Sequence, residues 1–191
     1  MINQIKSNKK LSAYLSHNIE DAGMQIEVDN ALLEDEYIGI KLDDYYMGLK
    51  LGGETPKAVD FIVAVDCECD SYALYILELK NVKSAQQFTT KDIEDKFETA
   101  VCRFMDKEYK DIFKNPKYKY KQVKLYLVSS AYLNSLGAGT FEEYAKLLKK
   151  IGKKDSLTKD IHLSYKAFYF YGMRLFIDRE IPPNPVIKKI V

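Results

Sequence analysis

Two apolar runs decide the fold: Ala58-Val-Asp-Phe-Ile-Val-Ala-Val65 and Tyr72-Ala-Leu-Tyr-Ile-Leu-Glu-Leu-Lys80. Their composition is typical of buried strands, and the turn-like residues between them predict an antiparallel hairpin. Three charged residues stand where a buried strand normally has none: Asp60 in the first run, and Glu78 and Lys80 at the end of the second. Side chains two apart on a strand share a face, so Glu78 and Lys80 point the same way. The hairpin would bring Asp60 beside Glu78.

These charged residues predict a site for a divalent cation. Two carboxylates and an ammonium group at the margin of a core carry a large desolvation cost unless a cation, or each other, offsets it. Paired carboxylates suit Mg²⁺, which keeps several waters and takes further ligands from phosphate oxygens. A lysine beside that metal can orient the attacking water in phosphodiester hydrolysis. The alternative is a salt bridge at a strand margin that has no catalytic role.

The combination of Asp60 with Glu78-Leu-Lys80 resembles the motif of the PD-(D/E)xK nuclease superfamily. That motif has an Asp opening one core strand and Glu-x-Lys on the next; the proline that usually precedes the Asp is replaced here by Val59. The resemblance implies an α/β fold with a restriction-endonuclease-like core, a mixed β-sheet flanked by helices in the order α-β-β-β-α-β. It also implies that Asp60 and Glu78 bind Mg²⁺, for which Mn²⁺ can substitute, and that Lys80 positions the hydrolytic water.

The family often takes a further metal-binding carboxylate from its first helix. Apolar residues at helical spacing followed by a glycine predict such a helix over residues 7–22, and Glu20 is the best-placed carboxylate on it. The alternative for Glu20 is a solvated helical face. The competing carboxylates are Glu34, Glu36 and Asp44.

Local patterns predict the remaining elements of a single domain over residues 1–191. Thr89-Thr-Lys-Asp92 has the form of a capping box, followed by a helical stripe of apolar residues. Residues 37–51 predict one or two strands with Asp43-Asp44 as a turn. The later elements are a strand at 122–129, a second capped helix from Thr140, and a final strand or hairpin at 166–177.

Charge is segregated along the chain, although the formal net charge is only +1. Residues 1–100 hold 10 Lys and Arg against 19 Asp and Glu, and residues 101–191 hold 19 against 9. Because polyanion binding depends on a local basic face, the second half predicts a nucleic-acid surface around the acidic site. A solvated lysine-rich loop is the alternative. The candidate contacts are Lys83, Lys117, Lys119 and Lys121.

Together these patterns predict a Mg²⁺-dependent endodeoxyribonuclease of the restriction or phage-defence type. Its partner would be duplex DNA, and a homodimer is expected because two sites related by a two-fold axis most simply cut both strands. A nuclease acting on RNA or branched DNA, or a non-catalytic binding module with this fold, remain alternatives. No apolar stretch approaches the length of a membrane span, and the N-terminus lacks the apolar core of a signal peptide, so a cytoplasmic location is expected.

Overall fold

The structure is a computed structural model of the chain, and it describes residues 1–49, 53–82, 89–131, 137, 140, 142–143, 146–147 and 166–190. The strands are β1 (Leu15–Ser16), β2 (Glu20–Asp21), β3 (Met24–Gln25), β4 (Tyr37–Lys41), β5 (Phe61–Asp66), β6 (Ser71–Lys80), β7 (Lys119–Ser129), β8 (Phe168–Phe170), β9 (Met173–Leu175) and β10 (Ile177–Glu180). The α-helices are α1 (Ile2–Ser7), α2 (Leu42–Gly48), α3 (Thr90–Glu98) and α4 (Lys110–Phe113). A 3₁₀ turn spans Ser12–Tyr14, and a π-helical stretch, Thr99–Glu108, continues α3.

A six-stranded mixed sheet forms the centre of the molecule, in the order β1-β4-β5-β6-β7-β10. β4, β5 and β6 form an antiparallel meander, whereas β7 runs parallel to both β6 and β10. The predicted hairpin is confirmed, since β5 and β6 pair with Phe61 opposite Leu77. This register places Asp60, the residue before β5, across from Glu78.

β5 and β6 are almost continuously apolar because both of their faces are covered. On one face, Ile62, Leu74 and Ile76 pack in a core cluster with residues of α1, α2, α3, α4 and the π-helical stretch. On the other, Val63 and Tyr75 pack against apolar residues from the segment at 19–37 and the C-terminal tail. A strand buried on both faces shows a continuous apolar run, which is the pattern that predicted it.

The helical crossover between β6 and β7 follows the predicted capping box. Thr89 is the N-cap of α3, and its side chain accepts a hydrogen bond from the backbone N–H of Asp92. Ile93, Phe97 and Phe104 are fully buried, as the apolar stripe predicts. A crossover of this length is what parallel pairing of β6 and β7 requires.

The predicted helix over residues 7–22 is wrong. α1 ends at Ser7, because Asn8 accepts a hydrogen bond from the backbone N–H of Lys10 and so turns the chain. Residues 15–16 instead join the sheet beside β4, and Glu20 lies on β2. Side-chain bonds to nearby backbone compete with helix formation in this way.

Of the one or two strands predicted over residues 37–51, the described residues 37–49 contain one, β4, and a helix follows it in place of the predicted turn. β4 is followed directly by α2, whose first turn contains Asp43 and Asp44. Acidic residues stabilise the first turn of a helix because they face its positive end. The prediction of an Asp43-Asp44 turn is therefore wrong.

The final segment is a hairpin, β8–β9, followed by the sheet strand β10. Tyr171 and Gly172 both have positive φ angles (50° and 78°), as tight hairpin turns require. Thr140 accepts a hydrogen bond from the backbone N–H of Glu143, but most of the helix predicted there lies outside the described residues. Among the described residues, no helix has both the length and the apolar character needed to cross a membrane.

Candidate functional site

Asp60 is a buried carboxyl group at the entrance of β5, with 6% of its surface exposed. Its Oδ2 accepts a hydrogen bond from the backbone N–H of Leu79 (2.5 Å), and its backbone oxygen accepts one from Leu42 (2.9 Å). Burial and, next, the charge of Glu78 raise the pKa of Asp60 to about 8. Without a cation nearby, this carboxyl group is largely protonated at neutral pH.

Glu78 is fully buried near the end of β6, and its two oxygens have different environments. Oε1 accepts hydrogen bonds from Lys96 (2.6 Å) and Lys80 (3.0 Å). Oε2 is buried and has no hydrogen-bond partner among the described residues. Burial raises the pKa of Glu78, against the two lysines, which lower it. A buried carboxylate oxygen without a partner is costly, and a cation would satisfy it.

Lys96 is the residue of this site that sequence reasoning missed. It lies on α3, and its side chain is 16% exposed, compared with 25% for Lys80. Burial lowers the pKa of Lys96, but Glu78 and Asp60 raise it by more, so the net shift is upward. Its position gives a signal: Lys96 is three residues after Ile93, within the apolar stripe, where a charged residue is unusual.

Hydrogen bonds from neighbouring segments fix the end of β6 that bears Lys80. The backbone oxygen of Lys80 accepts hydrogen bonds from Ser129 Oγ (2.9 Å) and from Ser130 N (3.2 Å), at the end of β7. The Asn81 side chain donates to the backbone oxygen of Ala22 (2.9 Å), which joins the β2–β3 turn to the same edge. The carboxylate pair therefore lies on a well-supported edge rather than on an isolated strand end.

A third carboxyl group, that of Asp43, lies beside the pair. It is half-buried in the first turn of α2. Burial raises its pKa, and the negative charges of Asp44 and Asp21 raise it further, whereas its Oδ1 accepts a hydrogen bond from Asp44 N. The charge of Asp43 in turn raises the pKa of Asp60.

Glu20 does not have the environment that its predicted metal role requires. It lies on the two-residue strand β2, is exposed, and accepts a hydrogen bond from the Asn18 side chain (3.0 Å). Of its competitors, Glu36 is paired with Lys189, and Glu34 and Asp44 are exposed. The metal role of Glu20 stays a prediction that no observed contact supports.

The predicted DNA-binding lysines lie at the other end of the sheet. Lys119 begins β7 opposite Ser71, while Ser129 ends it opposite Lys80. Along β6, the nine steps from Ser71 to Lys80, at ~3.3 Å each, separate the two ends by about 30 Å. Lys117, Lys119 and Lys121 are exposed there, and Lys83 lies outside the described residues. The structure therefore does not bring these three lysines to the carboxylate pair.

Asp60 and Glu78 fit Mg²⁺ or Mn²⁺ as a two-carboxylate site. The buried, unpartnered Oε2 of Glu78 and the mutual repulsion of the pair are both features that a divalent cation relieves. In the part of the chain that the structure describes, no group of three or more His, Cys, Asp or Glu side chains could hold a metal ion. Mg²⁺ needs no such cage, since it is often bound through one or two carboxylates and keeps several waters.

No protein-family model, no curated protein and no solved structure matches this chain, so its function is argued from the carboxylate pair and the lysines beside it.

Proposed function

We propose that the protein is a Mg²⁺-dependent endonuclease that hydrolyses phosphodiester bonds of DNA. One observation carries the proposal: Asp60 and Glu78 face each other across the β5–β6 hairpin, and Lys80 contacts Glu78 from two residues further along the same strand. In the PD-(D/E)xK motif that the sequence resembles, two acids and a lysine in this arrangement hold the metal and position the hydrolytic water, which is metal-assisted hydrolysis of a phosphate ester.

The order of the elements supports a restriction-endonuclease-like core. α1 precedes three antiparallel strands, β4, β5 and β6, and the helical crossover that begins with α3 then leads to β7, parallel to β6. That order is α-β-β-β-α-β when the short strands β1 to β3, the 3₁₀ turn and α2, which lies between β4 and β5, are set aside. In this frame Asp60 directly precedes the second core strand and Glu78 lies on the third.

Each residue of the site has a chemical role in the proposed reaction. Asp60 and Glu78 would hold Mg²⁺, which when bound supplies a Lewis acid for the phosphate and lowers the pKa of a bound water. Lys80 would donate hydrogen bonds from Nζ to the water and to phosphate oxygens. Lys96, by holding Oε1 of Glu78, orients that carboxylate and opposes the rise in its pKa that burial causes.

Duplex DNA cut by a homodimer is the form of the activity that we propose, in restriction or phage defence. Two active sites related by a two-fold axis match the two antiparallel strands of a duplex. The lysines at the start of β7, about 30 Å from the carboxylates along the sheet, could then contact DNA roughly one helical turn from the cut.

A second candidate is a binding module of the same fold without catalysis. The observation in its favour is that Oε1 of Glu78 already accepts hydrogen bonds from two lysines. Such a pairing can be structural, although a buried ion pair is weak evidence for stability in itself. The unpartnered Oε2 of Glu78 argues against a network that is complete.

Cleavage assays separate the two candidates. The wild-type protein would be incubated with supercoiled plasmid, linear duplex, branched DNA and RNA, with Mg²⁺, with Mn²⁺ or with chelator. We expect metal-dependent cutting of duplex DNA, and a loss of at least about 100-fold in Glu78→Gln. Glu68→Gln, at the opposite end of the same hairpin, is the matched control and should cut normally. Metal-independent cutting, or full activity in Glu78→Gln, would refute the nuclease proposal.

A further inference from the structure

Asp43 is held next to Asp60 by the backbone. β4 and β5 pair with Lys41 opposite Phe61, and the chain then turns directly into α2. At this junction the backbone N–H of Leu42 donates to the backbone oxygen of Asp60 (2.9 Å). Asp43 is therefore one residue from a direct contact with Asp60, in a position that a strand pairing and a helix start both fix.

Most of the ionisable groups around Asp43 are carboxyl groups. Asp21, Asp44 and Asp60 all interact with it electrostatically, and Lys96 is the positive side chain that opposes them. Like charges gathered in a half-buried place repel one another, and the repulsion is only partly screened there. An arrangement of this kind is favourable when a cation lies among the carboxylates.

A second and independent observation indicates where that cation would lie. The side chain of Glu78 is fully buried, and its Oε2 has no partner within the described residues. Glu78 is opposite Asp60, and Asp60 is hydrogen-bonded to the residue before Asp43. The start of α2, the start of β5 and the end of β6 thus each place a residue with a carboxyl group at the same edge of the sheet.

We propose that Asp43 is the third carboxylate of the cation site and that it binds waters of the Mg²⁺ shell rather than Mg²⁺ itself. This inference rests on the metal site of the proposed function. The indirect role follows from the chemistry of Mg²⁺, which gives up its waters reluctantly and is often bound directly by only one or two carboxylates. Carboxylates outside the direct ligands orient such waters and tune the affinity of the site.

The inference assigns to Asp43 the role that the sequence alone gave to Glu20. Glu20 is exposed and bonded to Asn18, whereas Asp43 is half-buried and interacts with Asp60. The third carboxylate therefore comes from the start of α2, between the first and second core strands.

Titration calorimetry of Mg²⁺ and Mn²⁺ binding to the full chain tests the inference. We expect Asp43→Asn to weaken binding about tenfold, the lower end of the range for partners of metal ligands. Asp44→Asn is the matched control, because it removes the same charge from the adjacent, exposed residue. It should change the Kd less than about twofold. Asp43→Ser should reproduce the loss seen in Asp43→Asn, and the thermal unfolding of both metal-free variants would verify that they fold.

The outcomes distinguish this inference from the proposed function. Equal losses in Asp43→Asn and Asp44→Asn would mean that only general charge matters, and would overturn the role of Asp43. Wild-type affinity in Asp43→Asn would overturn it as well, even if the protein cuts DNA. Absence of divalent-cation binding by the wild type would overturn both proposals. Selective loss in Asp43→Asn supports the inference even in a protein that binds metal but cuts no DNA.

Discussion

Replacing Asp60 by asparagine should make the metal-free protein more stable at neutral pH. The pKa of Asp60 is raised from 3.8 to about 8 in the folded protein, chiefly by burial. Between these two pH values the folded state holds a proton that the unfolded state has released. Stability therefore decreases as pH rises through this window, by up to about 1.4 kcal/mol per pH unit.

The expected magnitude follows from that window. From pH 4 to pH 7, the unfolded state releases the Asp60 proton and the folded state keeps it. The unfolding free energy of the wild type therefore falls by on the order of 4 kcal/mol. Asparagine is similar in shape, cannot ionise, and keeps an oxygen that can accept the hydrogen bond from Leu79 N. The unfolding free energy of Asp60→Asn minus that of the wild type should therefore be about 4 kcal/mol larger at pH 7 than at pH 4. For a chain of this length, that difference corresponds to roughly 10 °C in Tm.

Urea unfolding in chelator at several pH values from 4 to 8 measures this effect. The difference between wild type and Asp60→Asn at each pH isolates the titration of Asp60 from that of other groups. Asp66→Asn, at the other end of β5, is the control for the chemical change itself. Added Mg²⁺ should stabilise the wild type at pH 7 to 8 and leave Asp60→Asn nearly unaffected. Parallel stability curves for the wild type and Asp60→Asn across pH 5 to 8 would refute the reasoning.

Three further perturbations test the other residues. Glu78→Ala should destabilise the protein by about 3 kcal/mol in urea unfolding, because it leaves the partly buried Lys96 without its partner. An unchanged midpoint would contradict the ion pair. Lys96→Met removes a positive charge that lowers the pKa of Glu78. The acidic limb of the pH–rate profile for DNA cleavage should therefore move to higher pH. Lys91→Met, on the exposed face of α3, is the control and should not move it. Reversing the exposed lysines at the start of β7 to glutamate should weaken DNA binding and flatten its salt dependence by roughly one unit of slope per lost phosphate contact; an unchanged slope would make them ordinary surface. Those lysines are Lys117, Lys119 and Lys121.

The central hairpin could be predicted because its sequence and its environment agree. Strands buried on both faces must be apolar along their length, so Asp60 and Glu78 stand out as exceptions. The sequence predicts a hairpin that brings Asp60 beside Glu78, and the observed register, with Phe61 opposite Leu77, agrees with this. The exact register could not be read from the two runs, because pairing their ends, Val65 with Tyr72, would place Asp60 opposite Leu77 instead.

The N-terminal segment could not be predicted because its burial pattern does not depend on a helix. Leu11 and Ile19 are fully buried, as their spacing predicts, yet the chain between them forms a 3₁₀ turn and a short strand. Pairing of Leu15 with Ile40 decides this conformation, and that contact is distant in sequence. Helical spacing of apolar residues indicated which side chains enter the core, but not the backbone that brings them there.

Asp60 is the residue that separates a metal site from a purely structural network. Lys80 and Lys96 both contact Oε1 of Glu78, so neither depends on Asp60 for a partner. The hydrogen bond that Asp60 accepts from Leu79 N could be accepted by asparagine without the cost of a buried acid. Burial and the charge of Glu78 oppose the ionisation of Asp60 more strongly than the hydrogen bond from Leu79 N and the charge of Lys96 favour it. A divalent cation between the two acids would reverse this balance, because it favours the ionised form of Asp60 and gives Oε2 of Glu78 a partner.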